Sequence, residues 1–427
     1  MEHGVKKLQL HWQILVAILL GGVIGSITGT EGGIGGITFY AVFDFVGTMF
    51  MNGLRMIIVP LIVSSIITGI ASLGSSNDLG RLGMKTLGFY AVTSTMAILI
   101  GLLFVNIMSP GIIDGEPAGE RLNLTLDADM VSSAVASVEG RGGGDIVQIF
   151  IRMIPTNVIQ AAADGEMLGL IFFSLVFGYF MTTIRSPLAD SMKSFWEGIA
   201  ETMMEITMWI MKFAPIGVFG LVARTVASTG FAAFTPMLVF FFTVLGALMF
   251  HLFVALPLML KYVAKVSPLK HFKAMMPALL TAFSSASSSA TLPLSMKCIE
   301  HNSGVSERTA SFVLPLGATV NMDGTALYEC VAAIFLAQAY GLELSFATQF
   351  SVVLIALLTS IGVAGIPAAS LVAISVILTA IGLPVEAIGL LLVTDRVLDM
   401  VRTAVNVYSD SCCAVVVAVS EKETLLV

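Results

Sequence analysis

The sequence has little charge. Asp, Glu, Lys and Arg make up 11% of its 427 residues, whereas a typical soluble domain is about a quarter charged. Hydrophobic residues make up 57% of the chain, and apolar runs of about 20 residues, the length that spans a bilayer core, recur along it. This composition excludes an ordinary soluble fold and predicts an all-α polytopic protein of the lipid bilayer.

Other absences narrow the function further. Basic residues are scattered and form no patch, so no nucleic-acid partner is expected. Residues 1–13 open directly into an apolar run without a small-residue cleavage pattern, so we expect no cleavable signal peptide. The cysteines show no metal-ligand spacing, and we therefore assign them no redox or metal role. They are Cys298, Cys330, Cys412 and Cys413.

Serines 284, 285 and 287–289 raise the alternative of a membrane serine hydrolase. Nucleophilic catalysis needs a positioned base, and the five histidines include no obvious partner for this run. We therefore expect no enzyme. A pure channel is a further alternative, which saturable, sodium-dependent uptake would separate from a carrier. The histidines are His3, His11, His251, His271 and His301.

Six apolar segments predict six membrane elements before residue 261. They lie near 14–29, 37–73, 86–109, 146–184, 196–226 and 232–260. Residues 111–145 carry seven acids and two arginines, whereas the short loop after 260 carries only lysines. Because short lysine-rich loops stay cytoplasmic, this loop is expected inside the cell, and Lys6, Lys7 and an even number of preceding crossings place the N-terminus there too. The C-terminus is also expected to be cytoplasmic. The loop lysines are Lys261, Lys265, Lys270 and Lys273.

Two stretches after residue 273 are too short and too interrupted to span a membrane as single helices. Residues 275–283 run into the serine-rich sequence 284–293, and arms at 351–359 and 371–381 flank a turn at 360–370. Irregular backbone at membrane depth survives only where protein buries it or water reaches it. We therefore predict two re-entrant hairpins, with the serine run at the tip of the first. Such paired interruptions are typical of inverted repeats around a transport site.

The sequence Asn321-Met322-Asp323-Gly324-Thr325 lies between these hairpins in an apolar stretch. Its glycine favours a broken helix with free carbonyl groups. Hard cations prefer oxygen ligands, and helix N-termini attract anionic groups. The pentapeptide therefore predicts a site for sodium and a carboxylate, with a simple loop turn as the alternative.

The last helix carries a polar stripe. At about 100° per residue its five members fall within an arc of about 80° on one face. A charge at mid-bilayer costs at least about 2.5 kcal/mol, so such residues usually mark a transport pathway. Ion pairs that merely lock helices together remain the alternative, most of all for Asp395. The stripe consists of Asp395, Asp399, Arg402, Asn406 and Asp410.

Three short sequences resemble signatures of the dicarboxylate/amino acid:cation symporter family. They are SSASSSATLP at 284–293, NMDGT at 321–325 and DMVRTAVN at 399–406. IPTN at 154–157 and APIGVF at 214–219 extend the likeness over nearly the whole chain. The resemblance implies eight transmembrane helices plus two re-entrant helical hairpins, inverted repeats and a homotrimer. It also implies a symporter that moves L-aspartate or L-glutamate with Na⁺ by alternating access in the plasma or inner membrane, without a resident cofactor.

The resemblance further divides the chain into a trimerising scaffold and a mobile transport domain. The scaffold takes 1–73 (helices 1 and 2) and 146–230 (helices 4 and 5), with 111–145 as an extracellular loop. The transport domain takes 74–110 (helix 3) and 231–427. The latter contains helix 6, a hairpin at about 270–303, a broken helix at about 306–338, a hairpin at about 345–383 and a last helix at about 385–420.

By the same resemblance, Arg402 holds the side-chain carboxylate of the substrate and Asp399 holds its ammonium group. An arginine fork matches a carboxylate. C4-dicarboxylates lack the ammonium and neutral amino acids lack the second carboxylate, so both are runner-up substrates. The implied substrate-binding set is Ser287, Ser288, Thr325, Ile366, Ser370, Asp399, Arg402, Thr403 and Asn406.

The resemblance also implies sodium ligands. Proton-coupled relatives often carry asparagine at the position of Asp410, so this residue favours sodium. Glu329 is either a proton carrier, since burial can keep a carboxyl neutral, or a hydrogen-bonded structural acid. The implied sodium set is Tyr90, Thr93, Ser94, Gly317, Thr319, Asn321, Asp323, Ser360, Ile361, Val363, Asn406 and Asp410.

The chain departs from the pattern of that family at several positions. Ala286 and Met400 stand where members carry an additional arginine, and Arg396 is offset from both. Tyr408 and Ser409 replace a pair that usually ends in glycine. Ion stoichiometry and potassium coupling are therefore left open by the sequence.

Overall fold

The computed structural model describes residues 10–73, 81–119, 121, 122, 124, 151, 154–164, 167–230, 234–342 and 387–427, with single residues or pairs between 344 and 384. Within these residues the chain is mostly helical and has two short two-stranded antiparallel sheets. The prediction of a mostly helical protein is confirmed for the described residues.

The N-terminal half begins with three long helices. They are α1 (Leu10–Thr28), α2 (Phe39–Leu73) and α3 (Arg81–Met108). Strands β1 (Gly33–Ile34) and β2 (Ile37–Thr38) pair between α1 and α2, and β3 (Ile112–Ile113) pairs with β4 (Glu116–Pro117) after α3. Then follow α4 (Val158–Asp164), α5 (Met167–Met181), α6 (Ser186–Met211) and α7 (Ala214–Thr229).

The C-terminal half contains the more interrupted helices. They are α8 (Phe234–Ala264), α9 (Pro268–Ser285), α10 (Ser288–His301), α11 (Glu307–Val320), α12 (Asp323–Ala339) and α13 (Ile388–Ser420). Helix α8 includes two π-helical segments, His251–Ala255 and Leu260–Ala264. Such π-bulges are rare and often occur at functional sites.

The helix α9 ends inside the serine run. Ala286 takes a left-handed conformation (φ 49°), and the Ser287 hydroxyl caps α10 by accepting a hydrogen bond from the Ala290 amide over 3.2 Å. Serine is a preferred N-cap because its oxygen satisfies an amide that the first helical turn leaves unpaired. The serine run thus ends one helix and begins the next.

The segment 196–226, which the sequence predicts as one membrane element, contains a bend in the structure. It consists of parts of α6 and α7, which meet at an angle of 54°. Pro215 lies in the first turn of α7. Since proline lacks an amide donor and its ring clashes with the preceding turn, it favours a bend or the start of a new helix at this position.

Four described segments are long and apolar enough to cross a membrane, or five if the bent pair α6 and α7 forms one span. They are Leu82–Met108, Phe234–Ala264, Glu307–Ala339 and Thr394–Ser420. A multi-pass membrane protein is therefore supported by length and composition within the described part of the chain.

The helices pack in two groups. In the first, α7 packs against α1 and α2, and α2 also packs against α5 and α6. In the second, α13 packs against α3 and α8 to α12, and α3 packs against α12. The core of the second group is α12, in which every residue except Gln338 is buried.

The C-terminal tail after α13 folds back onto the start of α11. Both carboxylate oxygens of Glu423 accept hydrogen bonds there, from the Ser306 amide (2.8 Å), the Ser306 hydroxyl (2.7 Å) and the Thr309 hydroxyl (2.6 Å). Burial by itself would raise the pKa of the Glu423 carboxyl, but these donors outweigh it and lower the pKa. The tail is therefore tied down by an ionised carboxylate.

Candidate functional site

The candidate site surrounds the break between α11 and α12. Asn321 and Met322 leave the helical conformation, with ψ of 87° and 59°. Asn321 and Asp323 are both fully buried. The break falls inside the sequence Asn321 to Thr325, where the sequence predicted it.

Oxygen-bearing side chains from two helices, α3 and α13, converge on this break. From α3, the Ser94 hydroxyl donates to Asp323 Oδ1 over 2.7 Å, and Thr93 Oγ1 lies 3.3 Å from Asn321 Oδ1. From α13, Asp410 Oδ1 accepts a hydrogen bond from Asn321 Nδ2 over 2.9 Å. These residues form a buried set of hydroxyl, amide and carboxylate oxygens, the kind of ligands that hard cations prefer.

Gly317 and Tyr90 lie beside the same oxygens. A Cβ atom on Gly317 would lie 2.5 Å from Asp410 Oδ1 and 2.7 Å from the Tyr90 hydroxyl. The Tyr90 hydroxyl itself donates to the carbonyl of Val313 over 2.8 Å. A side chain at 317 would therefore require the side chains of Asp410 and Tyr90 to shift.

Two residues at this site were missed by the sequence analysis. The Ser409 hydroxyl donates to Asp323 Oδ2 over 2.6 Å, and His251 Nε2 lies 3.1 Å from the same oxygen. Both side chains are fully buried. An ionisable residue inside an apolar run is a functional candidate, so the position of His251 in α8 was a usable signal.

The second part of the site is centred on Arg402, whose side chain is 1% exposed. Its Nη2 atom lies 3.0 Å from Asp395 Oδ1 and 3.0 Å from Asp399 Oδ1. Arg396 Nη1 approaches the other oxygen of Asp399 at 3.4 Å. The guanidinium also lies 3.9 Å from the centre of the Tyr328 ring. Asp395 and Asp399, which the sequence placed on one face with Arg402, thus contact it.

A guanidinium has five N–H donors, and Nη2 supplies two of them. The other three, on Nε and Nη1, have no hydrogen-bond partner among the residues that the structure describes. Buried donors of a charged group are costly to leave unpaired. The geometry therefore provides cationic donors for an acceptor that the described chain does not supply.

Asn406 links this cluster to the N-terminus of α12. Its Oδ1 atom accepts a hydrogen bond from the Gly324 amide over 2.8 Å, and its Nδ2 atom donates to the Thr325 hydroxyl over 3.2 Å. The Thr403 hydroxyl donates to the carbonyl of Asp399 over 2.8 Å. Thr325, Thr403 and Asn406 are all buried.

The predicted hairpin residues are only partly described. Ser287 caps α10, Ser288 is buried in its first turn, and Ser370 is buried with no hydrogen-bond partner for its hydroxyl among the described residues. The remaining predicted positions of the second hairpin lie outside the described residues. They are Ser360, Ile361, Val363 and Ile366.

Thr319 and Glu329 lie on either side of the break. Thr319 donates its hydroxyl to the carbonyl of Leu316 over 3.0 Å, and it lines a cavity of about 820 Å³ between α2, α6 and the end of α11. Glu329 is fully buried in α12.

The described residues contain no group of three or more His, Cys, Asp or Glu side chains that could hold a metal ion. The oxygen-rich set at the break has only two carboxylates, from Asp323 and Asp410, with hydroxyl and amide groups around them. Such oxygen ligands suit a hard cation better than a soft transition-metal ion.

A multi-pass helical bundle with a buried, charged cluster at a helix break defines a membrane transport protein. The family model described as "Sodium:dicarboxylate symporter family" matches residues 10–420, and the chain belongs to that family. The resemblance found in the sequence is confirmed. So is the expectation that the chain is not an enzyme, since the family consists of symporters.

Curated relatives cover nearly the whole chain. The chain is 35% identical over 417 residues to the proton/sodium-glutamate symport protein of Bacillus caldotenax, covering 97% of this chain and 95% of that protein. It is 34% identical to the proton/glutamate-aspartate symporter of Escherichia coli K12, covering 96% and 93%. It is also 34% identical to excitatory amino acid transporter 3 of Mus musculus, covering 97% and 87%.

Proposed function

We propose that this chain is a sodium-coupled symporter that carries L-aspartate or L-glutamate across a cell membrane by alternating access. The names of relatives from bacteria and mouse specify glutamate or aspartate together with sodium or protons, or excitatory amino acids. Family membership supports Na⁺ as the coupling ion. No resident cofactor is part of the proposal.

The observation that carries the proposal is the set of unpaired donors on Arg402. A substrate carboxylate accepts charge-assisted hydrogen bonds from Nε and Nη1, which lie in a site with little water, where such bonds are strong. Asp399, 3.0 Å from Nη2, then binds the substrate ammonium. The proposed substrate site also includes Thr325, Thr403, Asn406, Ser287, Ser288, Ser370 and Ile366.

Sodium binds, in this proposal, among the oxygens around the helix break. Asp323 and Asp410 supply the negative charge, and Thr93, Ser94 and Asn321 supply neutral oxygens. The remaining proposed positions are Tyr90, Gly317, Thr319, Asn406, Ser360, Ile361 and Val363. Because Asn406 contacts Gly324 and Thr325, one side chain joins the ion site to the substrate site and gives a route for coupling.

The proposed architecture has eight transmembrane helices and two re-entrant hairpins arranged as inverted repeats. The two packing groups support a division into a scaffold (1–73 and 146–230) and a transport domain (74–110 and 231–427), with 111–145 as an extracellular loop. The homotrimer and the cytoplasmic position of both termini, in a plasma or inner membrane, rest on the family resemblance and on the charge pattern of the loops.

Proton coupling is the second candidate, because several relatives are named proton symporters and Glu329 is a fully buried carboxyl on the helix that begins at Asp323. A buried carboxyl that picks up a proton with each transport cycle would add a proton to the symport. A structural role for Glu329 predicts instead that its amide variant keeps full pH dependence.

The test is uptake of labelled aspartate into liposomes that contain the purified protein, with an inward gradient of either NaCl or choline chloride. Unlabelled aspartate, glutamate, succinate and serine compete in parallel, and one arm imposes a pH gradient without sodium. Sodium-dependent uptake that only aspartate and glutamate inhibit supports the proposal. Inhibition by succinate or serine would assign a dicarboxylate or neutral amino acid carrier, and uptake driven by the pH gradient alone would replace sodium by protons.

A further inference from the structure

Ser409 lies where the last helix meets the helix break, one residue before Asp410. Its hydroxyl donates to Asp323 Oδ2 over 2.6 Å and accepts a hydrogen bond from Asn321 Nδ2 over 3.0 Å. The residue is fully buried. One hydroxyl group therefore bridges the two polar side chains that flank Met322.

The bridge fixes the orientation of the Asn321 amide. Nδ2 is directed to α13, where Ser409 and Asp410 both accept from it, and Oδ1 is directed to Thr93 on α3, at 3.3 Å. An amide has a single acceptor oxygen and two donors on its nitrogen. With the nitrogen held by α13, the oxygen faces the hydroxyl groups of α3, where a cation would need it.

The same bridge fixes the Asp323 carboxylate. Its Oδ1 atom accepts from Ser94 over 2.7 Å, and its Oδ2 atom lies within hydrogen-bonding distance of Ser409 and of His251 Nε2. Asn321 and Met322 lie outside both helices, and one backbone hydrogen bond ties each of them to the adjoining helix, from the Asn321 amide to the Gly317 carbonyl and from the Ala326 amide to the Met322 carbonyl. These bonds do not orient the side chains of Asn321 and Asp323. The contacts to α3, α8 and α13 do.

We propose that Ser409 is a positioning residue that sets the sodium affinity of the site, and this inference rests on the proposed function. A cation is bound well only where its oxygen ligands are placed in advance, because ordering them on binding costs free energy. By holding Asn321 and Asp323 against each other, the Ser409 hydroxyl keeps both oxygens aimed at one volume.

The variant Ser409→Ala removes the bridge and leaves the backbone of α13 helical. Loss of a hydrogen bond to a buried charged group corresponds to roughly a tenfold change in an equilibrium constant. The expected result is a half-maximal sodium concentration about tenfold higher, with aspartate affinity at saturating sodium unchanged. A residue that only packs the helix would lower stability without moving the sodium dependence.

Ser411 provides a matched control on the same helix. It is also fully buried, and its hydroxyl donates to the carbonyl of Tyr408 over 2.7 Å and lies 2.9 Å from His271 Nε2, in a different contact set. Ser411→Ala removes an equal group and is expected to keep the wild-type sodium dependence. Ser409→Gly serves as a second variant if Ser409→Ala does not fold, since it lacks the same hydroxyl.

The experiment measures the unfolding temperature of purified protein in detergent across a sodium titration, with choline chloride holding ionic strength constant, and repeats the titration for aspartate binding. A sodium midpoint shifted only in the Ser409 variants supports the inference. A midpoint within twofold of wild type, or an equal shift in Ser411→Ala, overturns it while the proposed function stands. A wild-type protein that does not respond to sodium would overturn the proposed function and the inference together.

Discussion

The guanidinium carbon of Arg402 lies 3.9 Å from the centre of the Tyr328 ring. The ring belongs to α12 and covers one face of a cation that belongs to α13, so it shields that face from water. Cation and ring attract each other, by about 2 kcal/mol when the pair is desolvated. The contact helps to hold the guanidinium in place without using any of its N–H donors.

We therefore predict that Tyr328→Leu weakens aspartate binding by roughly thirtyfold, because Arg402 loses the ring that holds it. Tyr328→Phe keeps the ring face and is expected to stay within about threefold of wild type. Isothermal titration of aspartate at saturating sodium measures both affinities. Equal losses in the two variants would show that the hydroxyl, and not the ring face, matters.

Removal of the Arg402 charge is predicted to abolish aspartate uptake. Each hydrogen bond to a charged group contributes about 1.5 to 3 kcal/mol, so Arg402→Gln is expected to weaken binding at least a hundredfold. The variant also leaves Asp395 and Asp399 without their cation. Uptake assays in liposomes measure the loss, and serine in the same assay tests whether the variant now accepts a neutral amino acid.

Arg224 offers a matched control for this substitution. It pairs with Asp44 at 2.5 Å between α7 and α2, in the other packing group. Arg224→Gln removes the same charge from a partly exposed pair, for which the contribution to stability is small, and is expected to transport aspartate normally. Unchanged aspartate affinity in Arg402→Gln would remove the observation on which the proposed function depends.

Local sequence signals were sufficient for the positions of the breaks. The serine run and the pentapeptide beginning at Asn321 interrupt apolar stretches, and the structure ends helices at both. Periodicity also placed Asp395, Asp399 and Arg402 on one face, since residues three, four and seven apart share a face of any α-helix. Each of these features depends only on residues that are close together in the chain, so it can be predicted from the sequence without knowledge of the fold.

Contacts between distant segments could not be predicted in this way. Ser409 meets Asp323 across 86 residues of chain, and a serine in an apolar helix has no local property that reveals a partner. The bend between α6 and α7 was also missed, although Pro215 was visible, because proline is tolerated in membrane helices where other groups pair with the freed backbone.

The C-terminal tail gives a prediction for the pH dependence of stability. The pKa of Glu423 is lowered in the folded protein, so its contribution to stability is complete above the unfolded pKa of about 4.3. It is lost as the pH falls through the lower folded value. The difference in unfolding temperature between wild type and Glu423→Gln is expected to be constant from neutral pH to about pH 5, and to shrink below that.

Glu300→Gln, which removes a carboxylate from α10, is the control for this measurement. It should not reproduce the pH-dependent difference, because Glu300 does not cap the start of α11. A Glu423→Gln protein whose difference from wild type grew on acidification would contradict the assignment of a lowered pKa.

The carboxylate of Asp410 gives the last prediction, which separates charge from hydrogen bonding at the ion site. In Asp410→Asn the new Oδ1 atom can still accept from Asn321 Nδ2, so the fold is expected to be retained. The negative charge beside the helix break is lost, and charged ligands set much of the affinity of a cation site. The half-maximal sodium concentration for aspartate uptake should therefore rise tenfold or more.

Asp44→Asn removes the same charge from the pair with Arg224 and should leave that concentration unchanged, because it lies in the other packing group. Equal sodium dependence in the two variants would place the ion elsewhere.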